Sequence, residues 1–284
     1  MDLNEIVKEI REIISQKQKE LELTFIEDKH IYYMKDIDGK IKNNFMSVSK
    51  LIKKFYKPFD SEGKALQMSN GDPIEAKKLM EQWKVVGDNS TNMGSRVHFL
   101  LESDVVKQYG DYKEVRQPIF TCDQTQIDKS DNMVNAGRSF INLMHERGAV
   151  LLDTEMVLGD PELRYTGQPD KFWIMMNKDK TNFGIVTTDW KTNQEKNFQV
   201  QWYNGYLYSP FNDLRDYSLT HYYLQLPLYA RLLLKMLKGS KYEDMKLLGC
   251  VIVHLKDDGT FTEYKVPQEV NKKIFSIDIT KYTK

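Results

Sequence analysis

The sequence predicts a mixed α/β (α+β) fold with a central sheet flanked by helices. Three observations carry this. Apolar residues recur at a helix-like period up to Gly148 and at a period of 2 beyond it. The runs of period 2 come three in succession, and a long apolar helix pattern separates them from a final hairpin. With 284 residues, 40% hydrophobic and 29% charged, the chain can bury a substantial core and lacks the composition of a disordered segment.

Each element has a local reason. Ile6, Ile10, Ile13, Ile14 and Leu21 recur among charges, which predicts an amphipathic helix over 2–22. The Asp38-Gly39 pair predicts the turn of a hairpin, followed by a short helix in SVSKLIKKF. Residues 61–92 are polar and punctuated by Gly63, Gly71, Pro73 and Gly87, predicting helices and loops. Helices follow over 93–109 and 128–147, the second stopped by Gly148 at a C′ position. The runs AVLLDTEMVL, RYTGQPDKFWIMM and FGIVTTDWKT read as a three-stranded meander. A helix over 219–237 and a hairpin turning at Asp258-Gly259 complete the pattern.

Charge and cysteine content exclude several function classes. Lys+Arg and Asp+Glu number 41 each, so a chain-wide basic coat is excluded and any polyanion must meet a local patch. Cys122 and Cys250 are too few for a disulfide framework, a four-cysteine zinc site or a protein-ligated iron–sulfur cluster. No apolar run approaches the roughly 18 residues of a membrane span, and the first residues have no signal-peptide core. The expectation is a soluble, cytoplasmic protein without a membrane partner.

The chemistry centres on VTTDWKTNQ. On a strand, Ile185, Thr187, Asp189 and Lys191 share one face, while Val186, Thr188 and Trp190 share the other. If the preceding hairpin turns between Asp179 and Lys180, Asp170 falls directly opposite Asp189. Facing carboxylates repel unless a cation lies between them, which suggests a Mg²⁺ or Mn²⁺ site. A lysine beside that metal suits orientation or deprotonation of a water. The same Asp and Lys spacing also describes an exposed surface ion pair, and a one-residue slip would turn Asp170 away.

Two helical patterns accompany it. Gly94, His98 and Glu102 recur every four residues on one face, so imidazole and carboxylate could reach one metal, or His98 could bind it while Glu102 orients the site. The bland alternative is a surface helix with an incidental histidine. Gln225 and Tyr229 lie one turn apart on an otherwise apolar helix, and either tie it to the sheet or reach a substrate phosphate or base. Lys50, Lys53, Lys54 and Lys57 surround Phe55 and Tyr56, which fits either a phosphate-tracking, base-stacking groove or a solvated helix face.

Together Gly94-x-x-x-His98-x-x-x-Glu102, Gly167-Gln-Pro-Asp170, Asp189-Trp-Lys191 and Gln225-x-x-x-Tyr229 resemble the motifs of the PD-(D/E)xK nuclease superfamily. The branch resembled contains the RecB nuclease domain, Cas4-type nucleases, and mitochondrial and phage exonucleases. The likeness covers about residues 90–255, and the H-x-Y hairpin with SVSKLI is similar to the accessory lobe of the mitochondrial and phage members.

The resemblance implies a restriction-endonuclease-like core over 91–284 and an accessory lobe over 1–90. It implies Asp170, Asp189, His98 and the Trp190 carbonyl as ligands of Mg²⁺ or Mn²⁺. Lys191 would position the water, Glu102 would support the site, and Glu155 in the first meander strand would add an acidic group. Gln225 and Tyr229 would contact substrate or orient Lys191. Apart from the resemblance, Lys53 and Lys54 of the lysine cluster could track phosphates, and Arg96 and Arg138 could add phosphate contacts. The cluster cysteines of Cas4-type members are missing, implying no iron–sulfur cluster. The implied activity is DNA hydrolysis, by an exonuclease on ends or single strands in replication, repair or recombination. Alternatives are a structure-specific endonuclease or an inactive nucleic-acid binder of the same fold. A helicase or recombination protein is the kind of partner implied, in a bacterial or phage-infected host cytoplasm.

Overall fold

The computed structural model describes residues 2–110, 112–195, 198 and 205–284, apart from the side chain of Asp28. It is a mixed α+β fold whose helices cover both faces of a five-stranded sheet. No described helix is long and apolar enough to cross a membrane.

Helix α1 (Leu3–Glu20) is capped by Asp2, whose carboxylate accepts from the Asn4 N–H. Strands β1 (Thr24–Ile26), β2 (Ile31–Lys35) and β3 (Ile41–Lys42) form a small antiparallel sheet. The turn between β2 and β3 contains Gly39 at φ +73, a conformation that favours glycine. Strand β4 (Met46–Ser47) leads into the short α2 (Val48–Ile52), and α3 (Ser61–Met68) follows.

Helix α4 (Pro73–Gln108) is continuous, where the sequence predicts a break near Gly87. Asp72 as N-cap and Pro73 in the first turn start it well, and one glycine costs only about 1 kcal/mol, too little to end a helix of this length. It therefore runs unbroken across the boundary expected at residue 90. Helix α5 (Gln124–Glu146) opens with a capping box between Asp123 and Gln126 and stops before Gly148, at φ +78.

The expected three-stranded meander is split by two kinks. Its first run divides into β5 (Val150–Thr154) and β6 (Leu158–Asp160), its second into β7 (Tyr165–Gly167) and β8 (Lys171–Met176), and β9 (Phe183–Lys191) stays whole. Glu155 breaks the first run with a left-handed φ of +47, and Pro169, lacking an N–H, falls in the second gap. Strands β6 and β7 consequently join β4 in a separate three-stranded sheet. Helix α6 (Ser218–Met236) then returns the chain to β10 (Lys246–Leu255), parallel to β9, and β11 (Phe261–Lys265) closes the hairpin. The five-stranded order is β11-β10-β9-β8-β5. Helices α7 (Gln268–Ser276) and α8 (Thr280–Thr283) finish the chain.

The alternation of β9 is realised as two cores. Ile185, with Phe172, Ile174 and Ile252, packs in one cluster with α6 and with Ile6, Ile10 and Ile14 of α1. Val186 and Trp190, with Trp173 and Val253, pack in the other with Leu101 of α4 and Phe140 of α5. Within the first 90 residues, α1 and α2 bury their apolar side chains in the same cluster as the main sheet.

Candidate active site

Strands β8 and β9 pair antiparallel with Lys171 opposite Thr188 and Phe172 opposite Thr187. Continuing that register by one residue puts Asp170 opposite Asp189, as the turn position predicts. Asp170 is 7% exposed and Asp189 4%. The Trp190 N–H donates to Oδ2 of Asp170 at 2.5 Å, which ties the carboxylate to the neighbouring strand. Lys191 reaches back to Asp189 with a short Nζ to Oδ2 contact, and its Nζ lies 4.6 Å from the Tyr222 ring centroid.

Two further groups converge on Asp170. His98 extends from α4 to place Nδ1 3.3 Å from Oδ1 of Asp170 and 3.8 Å from Oε1 of Glu155. Ligand atoms of His98, Glu155 and Asp170 all lie within 4.8 Å of one another. The Glu155 N–H donates to the Asp170 carbonyl at 3.1 Å, and Gln168 Nε2 donates to the Glu155 carbonyl at 3.1 Å. The left-handed residue is thereby held with its carboxylate toward the histidine.

A cavity of about 210 Å³ is lined by Glu155, Asp170, Asp189, Lys191, Gln225 and Tyr229. Gln225 Nε2 donates to the Tyr229 hydroxyl at 2.8 Å. The opposite wall comes from the N-terminal part of the chain, with His30, Tyr32, Ser47 and Ser49. On the α4 side, a larger cavity of about 570 Å³ shares Glu155 and Gln168 with the first and adds His98, Glu102, Lys113 and Arg116.

Burial and mutual repulsion set the protonation states. Burial, and then the Asp170 charge, push Asp189 up to about 6 against the pull of Lys191. Burial pushes Glu155 up to about 7, with Asp170 adding to it and His98 opposing. Burial disfavours charge on His98, yet Asp170 and Glu155 outweigh it and raise its pKa to about 10. Burial likewise works against ionised Asp170, but His98 outweighs it and holds that carboxyl well below the usual range. Lys191 is raised, because Asp189 and Asp170 overcome the penalty of burying its charge. Without another cation it is a firm ammonium ion, and an adjacent metal would have to supply the depression that proton abstraction needs.

The donor set fits a divalent ion. One imidazole nitrogen and carboxylate oxygens within a few ångströms suit Mn²⁺ or Mg²⁺. Ionisation of Asp189 and of the half-buried Glu155 is disfavoured, with pKa values pushed up to about 6 and 7, and a bound cation would relieve both.

Several sequence expectations need correction. The tightest donor set is His98, Glu155 and Asp170, whereas Asp189 is paired with Lys191. Glu155 lies just past the end of β5, not in the strand. The Trp190 N–H bonds the Asp170 carboxylate, and on an extended strand the carbonyl of the same residue lies on that edge too. The Trp190 side chain packs edge-on against Phe140 with centroids 5.5 Å apart, as a face turned from the site requires.

Glu102 forms an ion pair with Lys113 at 2.8 Å, one step removed from the cluster. The Arg96 guanidinium donates to Ser130 Oγ at 2.5 Å and Asp131 Oδ1 at 2.7 Å, joining α4 to α5. Lys53 and Lys54 are exposed on a 3₁₀ turn and line neither cavity of the site. Phe55, expected to stack bases, is fully buried against Phe211 and Tyr282.

Sequence reasoning missed Lys113 and Lys171. Lys113 lies in an irregular segment with no period to read, and bonds the Thr154 carbonyl as well as Glu102. Lys171 is 1% exposed, with Nζ 4.7 Å from the Trp190 ring centroid, and burial lowers its pKa. Its position directly after Asp170 on an apolar strand was the available signal. No protein-family model matches the chain, and no curated protein matches it significantly.

Proposed function

We propose that this chain is a metal-dependent DNA nuclease with a restriction-endonuclease-like core of the PD-(D/E)xK type, acting as an exonuclease on DNA ends or single strands. The observation that carries the reading is a lysine ammonium on the same strand face as a buried carboxylate, in one cavity with a second carboxylate from the neighbouring strand. An isolated structural ion pair has no use for the additional Glu155 and His98 beside it.

In this reading His98, Glu155 and Asp170 hold Mg²⁺ or Mn²⁺, with Asp189 on the Lys191 side. The ion would neutralise charge on the scissile phosphate and favour ionisation of a water. Lys191, kept cationic by Asp189 and Asp170, donates to the water or to a phosphoryl oxygen and offsets the charge that grows there. Gln225 and Tyr229 supply neutral polar groups opposite the carboxylates, able to contact phosphate or sugar without adding repulsion. Replication, repair or recombination in a bacterial or phage-infected host cytoplasm, beside a helicase or recombination partner, is the setting this activity fits.

The test pairs wild type with Lys191→Ala on end-labelled linear and covalently closed circular single-stranded DNA, with Mg²⁺, Mn²⁺ or EDTA. Metal-dependent loss of the linear strand alone, abolished by the substitution, supports the exonuclease. Cutting of the circle replaces it with an endonuclease. Equal activity of Lys191→Ala and wild type, or no cutting at all, overturns the assignment.

A further inference from the structure

Helix α6 carries His221, Gln225 and Tyr229 at intervals of four, on one face. Gln225 and Tyr229 line the catalytic cavity, while His221 lines a separate cavity of about 440 Å³ with Tyr56, Lys57, Phe59, Lys64 and Gln67. One helical turn, about 6 Å, separates the two along the helix. The second cavity is lined by aromatic rings and two lysines, together with the carboxylates of Asp60 and Asp216. Tyr56 and His221 stack with centroids 3.6 Å apart and planes 10° from parallel, and Asp216 fixes the imidazole through a 2.6 Å contact to Nε2. Phe59, 53% exposed, forms the outer wall and lies 6.2 Å from Trp83 of α4. Lys64 projects from α3 and donates to Gln67 Oε1 at 2.9 Å.

Flat aromatic walls, lysines for an attached phosphate and an amide for an edge contact are together the recognition chemistry of a nucleotide whose base is free to leave its stack. We propose that this cavity is a nucleobase pocket for the strand being cut, which makes unpaired DNA the substrate class. The inference rests on the nuclease reading for the strand's path, while the pocket itself is testable without hydrolysis. A paired base could enter only after unstacking, so an intact duplex gains nothing from these walls.

The experiment uses the full chain with Ca²⁺ in place of the catalytic ion, and a thymidine oligonucleotide of about 12 nucleotides carrying one 5-iodouracil at successive positions. Photocrosslinking to Tyr56 or Phe59 is expected from one position and not from the others. Fluorescence anisotropy should show Phe59→Ala weakening single-strand binding about tenfold, with duplex binding changed by less than about twofold. Lys64→Gln, a substitution on an exposed helix, should weaken it in the same direction, and Phe275→Ala on α7 should not.

If crosslinks form at none of the positions and both variants bind like wild type, the pocket is overturned while metal-dependent cutting can still stand. Crosslinking at one position by a protein that cuts nothing upholds the pocket and removes the nuclease. Equal losses on single strands and duplexes overturn the unpaired substrate class. A wild type that neither binds nor cuts single strands overturns both.

Discussion

Replacing Glu155 with Gln separates a metal centre from a structural ion-pair network. An ordinary glutamate ionises near 4.5, whereas burial, aided by Asp170, pushes Glu155 up to about 7. A tenfold change in proton affinity is worth about 1.4 kcal/mol, so the ionised side chain costs the metal-free fold on the order of 3 kcal/mol above pH 7. Below about pH 4.5 the group is neutral in folded and unfolded chains alike and the cost vanishes, because both states then carry the same proton.

Glu155→Gln should therefore be more stable than wild type in EDTA at pH 8, by up to roughly 5 to 10 °C in Tm, and nearly equal to it at pH 4. Excess Mn²⁺ should reverse the order at pH 8, since wild type offers the ion a full carboxylate. Thermal melts at the two pH values, with EDTA and with Mn²⁺, read all four quantities. A Gln variant that is less stable than wild type in EDTA by the same amount at both pH values would refute the reasoning. The Glu155 charge would then be an asset to the fold, paired with His98 for structure alone.

Three other substitutions or titrations follow from the same geometry. In Gly167→Ala a Cβ would meet Tyr229 Cε1 at 2.5 Å and Val48 Cγ2 at 2.9 Å, so a stability loss of about 1–3 kcal/mol by urea unfolding should accompany loss of hydrolysis as Tyr229 is displaced. Arg96→Ala should lower stability by about 1–3 kcal/mol, because its bonds to Ser130 and Asp131 join two helices, and should leave single-strand affinity by anisotropy unchanged. Mn²⁺ binding must displace the His98 proton that Asp170 and Glu155 retain, so the Mn²⁺-induced rise in Tm should be larger at pH 8 than at pH 6, up to about tenfold in affinity per pH unit and proton.

What could be read in the sequence was what depends on neighbours along the chain. A period of 2 assigns Asp189 and Lys191 to one face and Trp190 to the other, and the position of a turn sets the register that faces Asp170. Helix spacing puts His98 and Glu102 on one side of α4 and Gln225 with Tyr229 on one side of α6. What could not be read depends on contacts between segments. Arg96 meets Asp131 of α5 only after two helices pack, and Lys113 reaches Glu102 from a segment without a pattern. The kink at Glu155 needs a residue that tolerates φ +47 only with tertiary support, and no propensity marks glutamate for that role. Phe55 looked like a base-stacking residue because sequence cannot say which aromatic of an adjacent pair turns inward.

The middle residue of Asp189-Trp190-Lys191 explains why the site can be both costly and well ordered. Buried like charges repel, and alone they would spread the ends of β8 and β9 apart. Trp190 opposes this from both of its functional ends: its side chain is 1% exposed in the core formed with Phe140 and Trp173, and its N–H holds the Asp170 carboxylate at 2.5 Å. The apolar face of β9 thus supplies the stability that the acidic face consumes, within three consecutive residues. A one-residue slip of this strand would bury Asp189 and Lys191 in the α5 core and expose Trp190 to the cavity, so the register that folds the protein is also the register that assembles its site.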